Sequence, residues 1–165
     1  MKKARVTYPF VPKSAAWLSP GEFWALPLSD GTYGCGRVIQ VPPKEVRRNS
    51  MHFLGALLDW HSAEKPTSEA IAGCQCLKQS DMHIRAVTRV GGEILGIREL
   101  ELDGIKPWLF RGAEFWRNST VKNGLIPVRP QQPEDDVLPV LVTSGMNVLR
   151  SLAEERYVEK RRNVG

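Results

Sequence analysis

The pattern of apolar and polar positions is sharpest between Phe23 and Ile39, where two β-rich runs flank Asp30-Gly31. Asp-Gly between such runs predicts a hairpin. A two-residue loop would pair Leu28 with Tyr33 and put Pro27 at a hydrogen-bonded site, where proline has no N–H to give. A type I turn with Gly31 in the left-handed region pairs Leu28 with Thr32 instead, and Pro27 turns away from its partner. The second register is preferred. It sets Trp24 opposite Gly36 and Leu26 opposite Gly34, so each large side chain faces a glycine.

Beyond the hairpin the pattern is less regular. Pro42-Pro43 ends the second strand. Met51 to Trp60 is long and apolar enough for a buried strand, although Ala56, Leu57 and Leu58 also suit a helix. Pro66-Thr67-Ser68-Glu69 reads as a helix start capped by Thr67 or Ser68, and Gly73 ends it. Ile84, Ala86, Thr88 and Val90 alternate as on a strand, and Gly91-Gly92 turns the chain into a partner at 93–97. Ile105 to Phe110 and Phe115-Trp116 read as strand pieces. Pro127, Pro130, Pro133 and Pro139 mark an extended connector over 127–139. Residues 144–162 form the best helix, with Met146, Leu149, Ala153 and Tyr157 on one face and Ser144-Gly145 at its start. Lys160, Arg161 and Arg162 sit favourably near its C-terminus.

These elements predict an α+β fold: a strongly bent, barrel-like antiparallel sheet with a C-terminal amphipathic helix packed on it. The 165 residues fit one domain, 1–165, with a basic N-terminal arm at 1–13.

The strand Gly21-Glu22-Phe23-Trp24-Ala25-Leu26-Pro27-Leu28 and the return Gly31-x-Tyr33-Gly34-x-Gly36-Arg37-Val38 resemble the immunity protein 26 family. That family name is shared with a small phosphotriesterase of the HocA type. The resemblance extends over most of the chain in length and β-rich layout. One branch implies neutralisation of a bacterial toxin. The other implies hydrolysis of organophosphate triesters.

Charge narrows the partners. The net charge is +5, but it sits at the ends. Residues 1–13 carry +4 and residues 141–165 carry +2, while the body between them has 14 basic and 15 acidic groups. A nucleic-acid reader needs its basic stripe on the folded surface, so that partner ranks last. No apolar run approaches a membrane span, and no apolar stretch follows the basic N-terminus as in a secretory signal. Cys35, Cys74 and Cys76 are an odd count, which gives no disulfide framework and fits a reduced, cytoplasmic setting.

No P-loop, dinucleotide fingerprint, nucleophile elbow or H-E-x-x-H motif is present. The best polar constellation is Asp59-Trp60-His61, Cys74-Gln75-Cys76 and Asp81-Met82-His83. A divalent metal needs three or four converging donors, and Cys74, Cys76 and His83 are the candidate ligands. Set against them, C-x-C is a poor metal box, and isolated cysteines are commonly small buried apolar groups.

Under the phosphotriesterase resemblance, His61, His83, Asp59 and Asp81 are the candidate catalytic groups. Such a substrate is neutral and its leaving group needs little protonation. The main demand is a nucleophile at neutral pH, which a metal-bound hydroxide supplies. Trp60, Trp108 and Trp116, with Phe115, would wall an aryl pocket. Arg37 would anchor a developing oxyanion or a partner, or lie over Phe23 as a surface arginine. Under the immunity resemblance no catalytic group is needed, and exposed Trp108, Trp116 and Arg117 would carry the contact with the toxin.

Overall fold

The computed structural model describes residues 6–46, 50–112 and 119–164. Its first hairpin joins β1 (Glu22–Pro27) to β2 (Tyr33–Gln40). The register is the one argued from Pro27: Trp24 faces Gly36, Leu26 faces Gly34 and Phe23 faces Arg37. Leu28 N–H donates to Thr32 O at 2.9 Å, Gly31 N–H donates to Leu28 O at 3.1 Å, and Gly31 has φ +83. A side chain at that φ is strained, so glycine makes the turn.

Met51 to Trp60 resolves as a strand. β3 (His52–Ser62) pairs antiparallel with β2 and with β4 (Cys76–His83). Two short strands complete a six-stranded sheet of order β5-β1-β2-β3-β4-β9, with β5 at Gly96–Ile97 and β9 at Thr143–Ser144. β9 runs parallel to β4, so the sheet is mixed. A second, antiparallel sheet has the order β6-β7-β8, from Leu109–Phe110, Thr120–Asn123 and Ile126–Pro130. The fold is α+β as expected. The strongly bent, barrel-like, purely antiparallel sheet is not found, because neither sheet is closed or strongly curled.

Both faces of the large sheet are covered, and strand alternation divides the core accordingly. Trp24, Val38, Phe53 and Leu57 pack with Leu149, Ala153 and Val158 of the C-terminal helix. Phe23, Ile39, Leu54 and Leu58 pack with Ile71, Leu100, Ile105 and Phe110. No helix is long and apolar enough to cross a membrane among the described residues.

Three segments differ from their sequence reading. Ile84 to Val90 is no strand: Arg85–Thr88 forms a single helical turn, α1, and the Gly91 and Gly92 N–H groups close it on Val87 O. Ala86 and Val87 are both buried there, a pairing that fits a helical turn and breaks strict alternation. The 67–73 segment is one turn, with Thr67 Oγ1 accepting from Ala70 N–H at 3.2 Å as a cap. The 127–139 connector contains most of β8 and a 3₁₀ turn at Pro133–Val137.

The C-terminal helix begins later than expected. It runs as α2 (Val148–Glu154), a π turn (Glu155–Glu159) and α3 (Lys160–Arg162). Ser144 is no helix cap, since it lies in β9 and hydrogen-bonds Ser80. The π turn inserts one residue into the helical repeat. Val158 therefore follows Leu149 and Ala153 into the core, where uninterrupted α-helix would place Tyr157.

Candidate functional site

The register between β3 and β4 distributes the candidate residues. His52 pairs with His83, Leu54 with Asp81 and Leu58 with Cys76. Cys76 and His83 thus occupy opposite ends of β4, about 23 Å apart at a rise of about 3.3 Å per residue. Cys74, Cys76 and His83 do not converge. Among the described residues no group of three or more His, Cys, Asp and Glu side chains is placed to hold a metal. Burial pushes the Cys76 thiol up, and burial together with Asp59 and Asp103 pushes the Cys74 thiol up. Both trends oppose the thiolate that a metal requires. The residues present do not fit the divalent ion expected from the sequence.

At one end of the pair, His52, Leu54, Asp81 and His83 share a face, because each lies two residues from the next along its strand or directly across the ladder. Asp81 Oδ1 lies 3.0 Å from His52 Nδ1, and both side chains are mostly buried. Thr143 Oγ1 donates to Asp81 Oδ2 at 3.2 Å, and Asp81 N–H donates to Val142 O at 3.1 Å. Thr143 of β9 thereby holds the carboxylate on its second oxygen. A carboxylate oxygen accepts, so Nδ1 is the donor in this contact, and in the neutral tautomer that makes it the lone pair lies on Nε2.

His52 and Asp81 line a cavity of about 310 Å³ together with Lys122, Leu125, Leu141 and Thr143. The His83 ring meets the His52 ring edge-on at 5.5 Å. His83 Nδ1 accepts from Arg85 N–H at 3.1 Å, which orients this ring too. Burial, then the neighbouring His52 and Arg85, lower the His83 pKa. The cavity lining thus brings an imidazole held by a carboxylate together with Lys122 and partly apolar walls.

At the other end, Asp59 and His61 meet the C-terminal helix. His61 stacks on Tyr157 with ring centres 4.7 Å apart and planes 3° from parallel. Tyr157 Oη donates to Asp59 Oδ1 at 2.8 Å, and Arg156 Nη2 donates to the same oxygen at 3.2 Å. His61 Nε2 lies 2.6 Å from Thr32 Oγ1, which in turn donates to Asp30 Oδ1 at 2.5 Å. Burial, then Arg161, lower the His61 pKa against the opposing pull of Asp30. Burial, then Asp59, push the Tyr157 hydroxyl up to about 12. Asp59 and His61 fasten the helix to the hairpin turn. Neither lines the His52 cavity.

The remaining candidates scatter. Trp60 packs half-buried against the second core layer. Trp108 lines a different cleft, with its ring centre 6.3 Å from that of Phe110. Trp116, with Phe115 and Arg117, lies outside the described residues. Arg37 is neither a surface arginine nor open to a substrate, being fully buried. Its Nη1 donates to Asp103 Oδ2 at 2.8 Å and its Nη2 to Arg98 O at 2.5 Å. Asp103 also accepts from Arg98 Nε at 2.9 Å and from Gly73 N–H at 2.8 Å. Burial pushes the Asp103 carboxyl up, but the bonds from Arg98, Gly73 N–H and Arg37 outweigh it and hold the pKa at about 2.

Sequence reasoning missed His52, Lys122 and Thr143. His52 had a signal: its spacing from Asp81 and His83 fits one antiparallel ladder once both strands are assigned. Lys122 and Thr143 arrive from separate segments and had none. Compared with known proteins, the chain matches no family model, no curated protein and no solved structure.

Proposed function

We propose that the protein hydrolyses neutral organophosphate triesters, with His52 as the general base. The observation that carries this reading is the His52–Asp81 pair at the wall of the 310 Å³ cavity. His52 Nε2 takes a proton from water as the water oxygen bonds to phosphorus. The bond from phosphorus to the aryl or enol oxygen breaks, and that oxygen leaves with the electron pair. The products are a dialkyl phosphate and, after protonation, the alcohol. Lys122 stabilises the charge that gathers on the phosphoryl oxygen. Leu125 and Leu141 offer apolar contact to the ester groups. The hairpin's resemblance to the HocA type supports the same substrate class. Of the residues first considered, Asp81 keeps a direct role and His83 a flanking one.

A second reading, an immunity protein that occludes a toxin, draws on a different observation. Val128, Val137 and Leu109 of the small sheet and the turn after it are 52%, 89% and 44% exposed. Exposed apolar side chains there offer contact area to a protein partner.

The test is turnover of a chromogenic aryl dialkyl phosphate by purified protein, before and after chelation, with His52→Gln in parallel. Turnover that survives chelation and falls in His52→Gln supports the hydrolase. Absence of turnover above a heat-treated control favours the immunity reading. Full turnover by His52→Gln removes the proposed base.

A further inference from the structure

We infer that the cleft between β4 and the C-terminal helix binds a small organic anion with a flat apolar body, at a site separate from the His52 cavity. The cleft has a volume of about 420 Å³, within the range of pockets that take small organic molecules. Trp108 and Phe110 form one wall, Pro139 and Val140 another, and Leu152 of the helix a third.

The aromatic wall is held in place from behind. Gln79 is buried, its Oε1 accepts from Trp108 N–H at 2.9 Å, and its Nε2 donates to Lys106 O at 2.9 Å. Both ends of this one amide tie the 106–108 segment to β4. A wall fixed in this way costs less to order when a ligand arrives.

Charge selects the occupant. Lys78 on β4 and Lys160 on the helix both line the cleft, and neither side chain makes an ion pair or hydrogen bond among the described residues. The third cation, Arg156, is tied to Asp59. Among the described residues Glu155 is the one carboxylate on the lining. Two uncommitted ammonium groups beside an indole and a phenyl ring favour an aromatic anion over a neutral apolar molecule.

The same strand argues against a peptide occupant. β4 has a bulge opposite Leu57 and Leu58 and carries Lys78 on its open stretch. Both features blunt a strand edge against pairing with a further strand.

The test is a pair of fluorescence titrations, with anilinonaphthalene sulfonate and with its uncharged counterpart N-phenylnaphthylamine. The sulfonate is expected to bind saturably at one site, and the uncharged dye roughly tenfold more weakly. Lys78→Glu combined with Lys160→Glu should weaken the sulfonate by roughly tenfold or more and leave the uncharged dye unchanged. Thermal melting of the double variant checks that it folds. His52→Gln should bind the sulfonate as the wild type does, so this result stands apart from the hydrolytic reading. Equal affinity for the two dyes, no saturable binding, or wild-type affinity in the double variant would overturn the assignment.

Discussion

The Trp24 ring occupies the space that a side chain on Gly36 would need. A β-carbon at Gly36 would fall 2.8 Å from Trp24 Cδ2 and nearer still to Cε2 and Cζ2. The two residues are direct cross-strand partners, and Trp24 is fully buried. Neither the ring nor the strand has room to retreat. Gly36→Val is therefore expected to destabilise the protein by about 1–3 kcal/mol through overpacking. Urea unfolding followed by tryptophan fluorescence reads this as a lower midpoint at unchanged slope.

Asp103 neutralises a buried guanidinium. Asp103→Asn keeps the shape and removes the charge, leaving Arg37 buried without a counter-ion, at an expected cost of about 3–5 kcal/mol. The same pair predicts an acid dependence. The folded Asp103 pKa of about 2 lies below its unfolded value. Its contribution is therefore complete above about pH 4 and is lost as pH falls toward about 2. Urea midpoints across that window should fall less steeply in Asp103→Asn than in the wild type.

His61 predicts a dependence near neutrality with its own sign. Its folded pKa is lowered, so the unfolded chain takes up the proton first as the solution is acidified. The stability linked to this group is complete above the unfolded pKa of about 6.5 and declines below it. Chemical denaturation between about pH 8 and pH 5 should show that decline, and His61→Gln should flatten it.

Asp81 holds the His52 tautomer. Asp81→Asn would present an amide in its place, and donation from the amide N–H to Nδ1 would move the ring proton to Nε2. Turnover of the aryl triester is expected to fall by roughly 10²–10⁴-fold, the usual worth of a general base. A KM close to the wild-type value would show that the loss lies in the proton transfer. If kcat were unchanged, the pair would have no part in the chemistry.

The hairpin was legible because Pro27 forbids one register and Asp30-Gly31 specifies the turn. Both are local constraints that a single sequence carries. The 84–97 region was not legible, because Ile84, Ala86, Thr88 and Val90 fit an alternating strand as well as a buried helical turn. The buried Val87 on the wrong face for a strand decides the matter only once tertiary packing is known. The site was legible in part. Asp81 and His83 stood out as a polar pair, but His52 joins Asp81 across 29 residues through a ladder whose register was open. The same ladder separates Cys76 from His83, so residues close along the chain do not converge as a metal set. Arg37 was misplaced because its partner Asp103 comes from a distant turn, and an arginine without a visible counter-ion reads as surface.

The π turn leaves the C-terminal helix open to a change in length. With Arg156, the one residue between Glu155 and Tyr157, removed, the helix can run as uninterrupted α-helix. Val158 would then fall four residues after Ala153 in the shortened chain and still reach the core. The Arg156 contact to Asp59 would go with the deleted residue, while Tyr157, still directly before Val158, would keep its place. Core packing and the Arg156 half of the polar clasp are thus separable within one helix. A single codon insertion or deletion adds or removes that half of the clasp and leaves the hydrophobic seam intact.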